Sequence, residues 1–143
     1  MYTIYHIENN ECKIINNITP NLTSVWIKAE SPTEEEIDEL RKLVPISEED
    51  IKDTRDINEV PKLEKNDDSF FLLLQTPMRN SGQNEEGIPA DFTVRPLSIF
   101  FTDTIVITIT WGQNDVIAYL EEKLGNITKN SIVDTSKCEH FIV

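Results

Sequence analysis

Apolar and polar positions alternate strongly along this chain, and the pattern changes period at recognisable points. Tyr2 to Ile7 follows the two-residue repeat of a strand, Glu8-Asn9-Asn10 supplies turn chemistry, and Cys12 to Ile15 resumes the repeat, so the chain is expected to open with a hairpin at a sheet edge. Val25 to Ala29, with Trp26 and Ile27, reads as a further strand. At Ser31-Pro32-Thr33-Glu34 the period becomes helical: Ser31 is placed to cap the first free amides, Pro32 fits the first helical position, and Glu34 stands as the capping-box acid. Ile37, Leu40, Leu43 and Val44 form the apolar stripe of that helix, and Pro45 is expected to stop it. Ser47 with Asp50 three residues later repeats the capping logic and opens a second, thinly apolar surface helix reaching about Thr54.

Beyond Pro61 the pattern is extended again. Asp67-Asp68 reads as a turn, and the five large apolar residues from Phe70 to Leu74 call for a strand buried on both faces, as at the centre of a sheet, closed by Pro77. Residues 80–90, with Gly82, Gly87 and Pro89, read as a polar loop. Phe92 to Phe101 and Thr104 to Thr110 flank Thr102-Asp103 as a second hairpin, with Pro96 marking a bulge or an unpaired amide. Asn114 or Asp115 then starts a helix striped by Val116, Ile117, Leu120 and Leu124, with Gly125 as its terminator and 126–130 as a loop. Thr135 to Val143 resembles the first turns of one more helix. The expected fold class is α/β, with a mixed parallel and antiparallel central sheet flanked by helices.

Composition narrows the possible partners. The 143 residues make one domain, residues 1–143, and a chain of that size removes about 70% of its unfolded-state surface from water. With 26 acids against 13 Lys and Arg the net charge is −13, which disfavours nucleic acid and direct contact with anionic membranes. The same charge also fits plain solubility. Cys12 and Cys138 lie near opposite ends without a CxxC pair, as for two free thiols in a reducing compartment. The start carries no secretory signal pattern, and the Asn-x-Thr triplets at Asn17, Asn21 and Asn126 are read as chance. No apolar run approaches the roughly 20 residues of a membrane helix.

Enzyme signatures are lacking: no phosphate-binding glycine loop, GxSxG elbow or HExxH motif appears, and His6 and His140 are far apart in sequence and read as surface residues. The expectation is therefore a non-enzyme. Trp26, Phe70, Phe71, Phe100 and Phe101 are read as core, as is Trp111. Asp50, Asp53 and Asp56, spaced by three, lie close together if their segment is helical. Such a group is either a solvated helix face, the reading favoured from residues alone, or a place for a hard cation that takes oxygen ligands. Its spacing is not that of an EF-hand. A hydrolase using Asp67 and Asp68 with a metal has little support.

The order of features from Trp26 onward resembles the amino-terminal cytoplasmic domain of the CorA family of magnesium and divalent-cation transporters. The matching residues are Trp26-Ile27, Pro32-Thr33-Glu34-Glu35, Ile51-Lys52-Asp53, Pro61-Lys62-Leu63-Glu64, Phe70 to Leu74, and Leu97 to Thr110. Two positions depart from the family pattern, with Lys28 where an acid commonly follows Trp-Ile and Val60 where an arginine commonly precedes Pro-Lys. The resemblance implies a fragment that ends before the family's stem helix and transmembrane helices, soluble by itself and on the cytoplasmic side of the cell membrane in the full-length protein. It further implies a regulatory role, in which Mg²⁺ bridges Asp53 to an acid on the stem helix of a neighbouring subunit of a homo-pentamer. Asp50 and Asp56 are the weaker candidates. Because the partner acid is elsewhere, Mg²⁺ binding by the isolated domain is expected to be weak or absent. The alternative from another class is a free-standing acidic interaction module that docks a basic partner through the Glu34 to Asp56 surface.

Overall fold

The computed structural model describes residues 1–8, 11–79 and 92–129. Among them, seven strands form one sheet in the order β2-β1-β3-β7-β6-β5-β4. The strands are β1 (Tyr2–Glu8), β2 (Glu11–Ile15), β3 (Val25–Glu30), β4 (Lys62–Asn66), β5 (Ser69–Arg79), β6 (Phe92–Phe101) and β7 (Ile105–Thr110). Helices α1 (Glu34–Leu40) and α2 (Glu48–Arg55) follow β3, and α3 (Asp115–Lys129) follows β7. β3 and β7 pair in parallel, while the other neighbours are antiparallel hairpin partners or, for β1 and β3, antiparallel across a longer connection. The sheet is therefore mixed, as expected.

Register explains where the core sits. Phe71, Phe100, Ile107, Ile27, Ile4 and Ile15 stand opposite one another in a row across six strands, and the Phe71 and Phe100 rings stack at 4.5 Å between centroids. The two-residue alternation puts the next row, Phe70, Phe101, Val106, Trp26, Tyr5 and Ile14, on the opposite face. Helices α1 and α2 and the turn between them cover the first face, the helices through Ile37, Leu40 and Ile51 and the turn through Val44 and Ile46. On the second face α3 packs Ile117 and Leu124 against Cys12, Trp26 and Leu97. Tyr5 stacks on Trp26, and its hydroxyl donates to Glu121 of α3 at 2.7 Å, where Lys28 also pairs at 2.9 Å.

Several local expectations are corrected. The first helix is capped by Thr33, with Glu36 completing the capping box, so Pro32 precedes the cap. Ser31 serves elsewhere: at φ 44° it joins the ends of β3 and β7, its amide donating to the Thr110 carbonyl and its hydroxyl accepting from the Gly112 amide. α1 ends at Leu40, where hydrogen bonds from Lys42 to Glu39 and from Leu43 to Leu40 tighten the turn before Pro45 is reached. β5 passes Pro77 and continues to Arg79, and its register with β6 runs past Pro96 without a bulge, leaving the unpaired-amide reading. Gly125 does not end α3, which continues to Lys129 through part of the expected loop. Within its stripe, Val116 is exposed rather than buried. β5 is not central but next to the edge strand, so Phe71 and Leu73 are buried while Phe70, Leu72 and Leu74 are only half-buried on the face that α3 leaves open.

Residues 80–91, the Asn9-Asn10 turn, Cys138, His140 and the expected helix from Thr135 lie outside the described residues. Among the described ones, no helix is long and apolar enough to cross a membrane.

Candidate functional site

The Ser47-x-x-Asp50 spacing starts α2, which carries Asp50 and Asp53 within its eight residues and Asp56 at its C-cap to the side of the sheet where β4 forms the edge. Helical geometry keeps them on nearby turns, yet each makes different bonds. Asp50 is 7% exposed and closes the capping box, accepting from the Ser47 amide at 3.2 Å while its own amide donates to the Ser47 hydroxyl at 3.0 Å. Asp56 is the C-cap, exposed, with Oδ1 accepting from the Asn58 amide at 2.8 Å in a local turn. Asp53 looks toward β4, where Lys62 Nζ donates to its Oδ2 at 2.6 Å.

Lys62 and Glu64 alternate with Leu63 along β4, so the two charged side chains share the sheet face on which α2 sits. The Lys62 ammonium also reaches Glu64 Oε1 at 3.0 Å, and its side chain approaches the buried Phe71 ring at 5.7 Å. Hydrogen bonding to Asp53, then to Glu64, holds Lys62 above the ordinary lysine range despite partial desolvation. The site is thus a carboxylate pair bridged by one ammonium. Asp53 and Lys62 retain only 16% and 25% of their side-chain exposure, so their attraction is screened less than that of a typical surface pair. Among the described residues, no three His, Cys, Asp or Glu side chains are grouped to hold a metal ion, and Asp53 Oδ1 has no hydrogen bond.

The same corner holds a second set of contacts. Trp111, half-buried after β7, donates from Nε1 to Thr54 Oγ1 at 2.8 Å, and the Arg55 guanidinium lies 3.8 Å from its ring centroid. These contacts fix the end of α2, and with it the reach of Asp53 toward β4. His6, a partly buried side chain, lies 3.8 Å from Glu8 and takes no part. Asp67 at φ 51° and Asp68 form the β4–β5 turn, in agreement with their reading as turn residues. Sequence reasoning singled out the aspartates but assigned Lys62 and Glu64 no role. The available signal was their i, i+2 spacing on a strand ending opposite an acid-bearing helix.

A family model described as "CorA-like Mg2+ transporter protein" matches residues 21–141. The chain is 27% identical over 109 residues to the cobalt/magnesium transport protein CorA of Methanocaldococcus jannaschii, covering 76% of this chain and 31% of that protein. The fold is similar to the complete structure of the CorA magnesium transporter from the same organism, with a TM-score of 0.68 and 21% identity over 90% of this chain and 38% of that one. It is also similar to the structure of the soluble domain of that CorA, with a TM-score of 0.66 and 20% identity over 88% of this chain and 46% of the other. The chain therefore spans about a third of the length of the curated relative it matches.

Proposed function

Because the chain belongs to the family of CorA-like Mg²⁺ transporters, we propose that it is the cytoplasmic regulatory part of a divalent-cation transporter and that Asp53 supplies one carboxylate of its Mg²⁺ sensor. The observation that carries this reading is the position of Asp53: it is held at the end of α2, is partly exposed, and uses only Oδ2 to accept from Lys62. Among the described residues Oδ1 has no hydrogen-bond partner, and Mg²⁺ needs only one or two carboxylates because it keeps several waters. The remaining carboxylate would come from the stem helix of a neighbouring subunit in a homo-pentamer. At high Mg²⁺ the ion would bridge acids that otherwise repel, and the bridged assembly would hold the pore closed. Asp50 is a poor ligand in this scheme because it is committed to the cap, and Asp56 stands at the exposed end of the helix.

In isolation the domain offers Mg²⁺ an acid already neutralised by an ammonium, in keeping with weak binding. The deciding experiment uses the full-length transporter and follows protection from protease against Mg²⁺ concentration. Asp53→Ala is expected to shift protection to higher Mg²⁺ by tenfold or more, which corresponds to about 1.4 kcal/mol. An unchanged curve removes Asp53 from the sensor.

A further inference from the structure

β4 is an edge of the sheet, with β5 on one side and, among the described residues, no strand on the other. The two-residue turn at Asp67 and Asp68 makes Asn66 and Ser69 the closing hydrogen-bonded pair of the β4–β5 hairpin. Alternation along an antiparallel ladder then commits the amides and carbonyls of Lys62, Glu64 and Asn66 to β5 and turns those of Leu63 and Lys65 outward. Leu63 is 62% exposed, and Val60, just before the strand, is 67% exposed. An open edge of this kind is a template for a further strand.

We propose that this edge pairs with the same edge of a second copy of the chain, antiparallel about a two-fold axis through Leu63. Charge selects that register. With Leu63 opposite its own copy, Lys62 of each strand faces Glu64 of the other, in the non-hydrogen-bonded pairs where side chains approach most closely. Moving the axis by one residue sets Glu64 against Glu64 or Lys62 against Lys62, and like charges directly opposite are destabilising. The axis at Leu63 also supplies two backbone bonds, each Leu63 amide donating to the other's carbonyl, and it brings two exposed leucines together on one face. Pro61 has no amide and stops the ladder. The opposite edge, β2, repeats the charge pattern in Glu11 and Lys13, but the residue between them is the buried Cys12, so pairing there would cover no exposed side chain on the axis. The pairing does not depend on Asp53 binding a cation.

Interfaces below about 1,200 Å² are weak, so a dissociation constant of roughly 0.1–1 mM is expected, within reach of sedimentation equilibrium on this chain at concentrations up to about 1 mM. Leu63→Asp and Leu63→Arg each place like charges on the axis and should weaken self-association about tenfold or more, whereas an equimolar mixture of the two opposes unlike charges and should associate within about threefold of wild type. Leu63 is exposed, so both variants are expected to keep the fold, which circular dichroism verifies. Glu64→Lys opposes two ammonium groups in each cross-strand pair and should weaken association to the same degree. A wild-type chain that stays monomeric at the highest concentration overturns the proposal, as does a mixture that associates no better than its components. A dimer that Leu63→Asp leaves intact overturns it too and moves the contact elsewhere, first to β2.

Discussion

Replacing Lys62 by methionine should convert the Asp53 site from one filled by an ammonium to one that accepts a divalent cation. Methionine keeps most of the apolar stem near Phe71 while removing the charge between Asp53 and Glu64. Both carboxylate oxygens lie within 3.0 Å of the same nitrogen. They are thus no further than about 6 Å apart, and their repulsion is roughly 3 kcal/mol at an effective dielectric constant of 20 or about 0.7 kcal/mol in bulk water. Glu64 is the more exposed partner, so the lower half of that range applies, and the variant should lose about 1–2 kcal/mol at neutral pH once the lost ion pair is included. A cation binding the vacated acids with a dissociation constant of about 1 mM would return roughly 1.4 kcal/mol at 10 mM. For a chain of this size that is about 3–6 °C in the unfolding midpoint. The assay is thermal unfolding by circular dichroism in 0 and 10 mM MgCl₂ at matched ionic strength. Wild type should move by less than a degree, and Asp53→Asn added to Lys62→Met should abolish the gain. Equal Mg²⁺ responses in wild type and Lys62→Met would refute the view that the ammonium occupies the cation's place.

Three further outcomes follow from the same geometry. Asp50→Ala removes the capping-box acid and should cost about 1 kcal/mol in urea unfolding while leaving the Mg²⁺ response of the Lys62→Met chain unchanged. Ser98 is fully buried and its hydroxyl has no hydrogen-bond partner among the described residues, so Ser98→Ala should raise the urea midpoint by an amount worth about 1 kcal/mol. In alkali, burial and the bond to Glu39 push Tyr2 up to about 12, burial and Glu121 raise Tyr5 further, and Asp53 raises Lys62. Each group keeps its proton in the folded state after the unfolded chain has begun to lose it near pH 10, so stability should be intact below pH 10 and fall as pH rises through 12. Urea midpoints measured from pH 8 to 12 check the sign, and a flat profile would contradict it.

What the sequence makes legible is local, and what it hides is imposed from a distance. The Ser47-Asp50 box is a contact between residues three apart, and it appears as read. Ser31 reads locally as the cap of the first helix, yet Thr33 takes that place. The choice is made by the Ser31 amide bonding to Thr110, which comes from the parallel pairing of β3 with β7 and cannot be seen in the segment itself. Phe70 to Leu74 looks like a central strand because its residues are apolar throughout, yet β5 has the edge strand β4 as one neighbour. Pro77 and Gly125 have the propensities of terminators, and both are overridden, Pro77 by a register with β6 that continues to Phe92. For the site, the spacing of three identified the aspartates but not their separate bonds. Ser47 claims Asp50, Asn58 claims Asp56, and Lys62 reaches Asp53 from a strand nine residues on.

That last contact changes how the acidic surface is understood. A net charge of −13 suggests a surface waiting for cations in general, but Asp53, the carboxylate proposed to bind one, already has a counter-ion supplied by the chain. An ammonium is a single charge on a flexible stem, so it neutralises Asp53 without fixing the position of anything beyond it. A divalent ion with a second carboxylate on its far side does more: it neutralises two acids and joins the elements that carry them. The free-energy difference between those two arrangements is what a sensor built on Asp53 would use, and Lys62 sets its lower limit. Weakening the lysine should therefore lower the Mg²⁺ concentration at which full-length protein becomes protected, whereas removing Asp53 should raise it. Opposite shifts from two residues in one ion pair are difficult to explain by loss of stability alone.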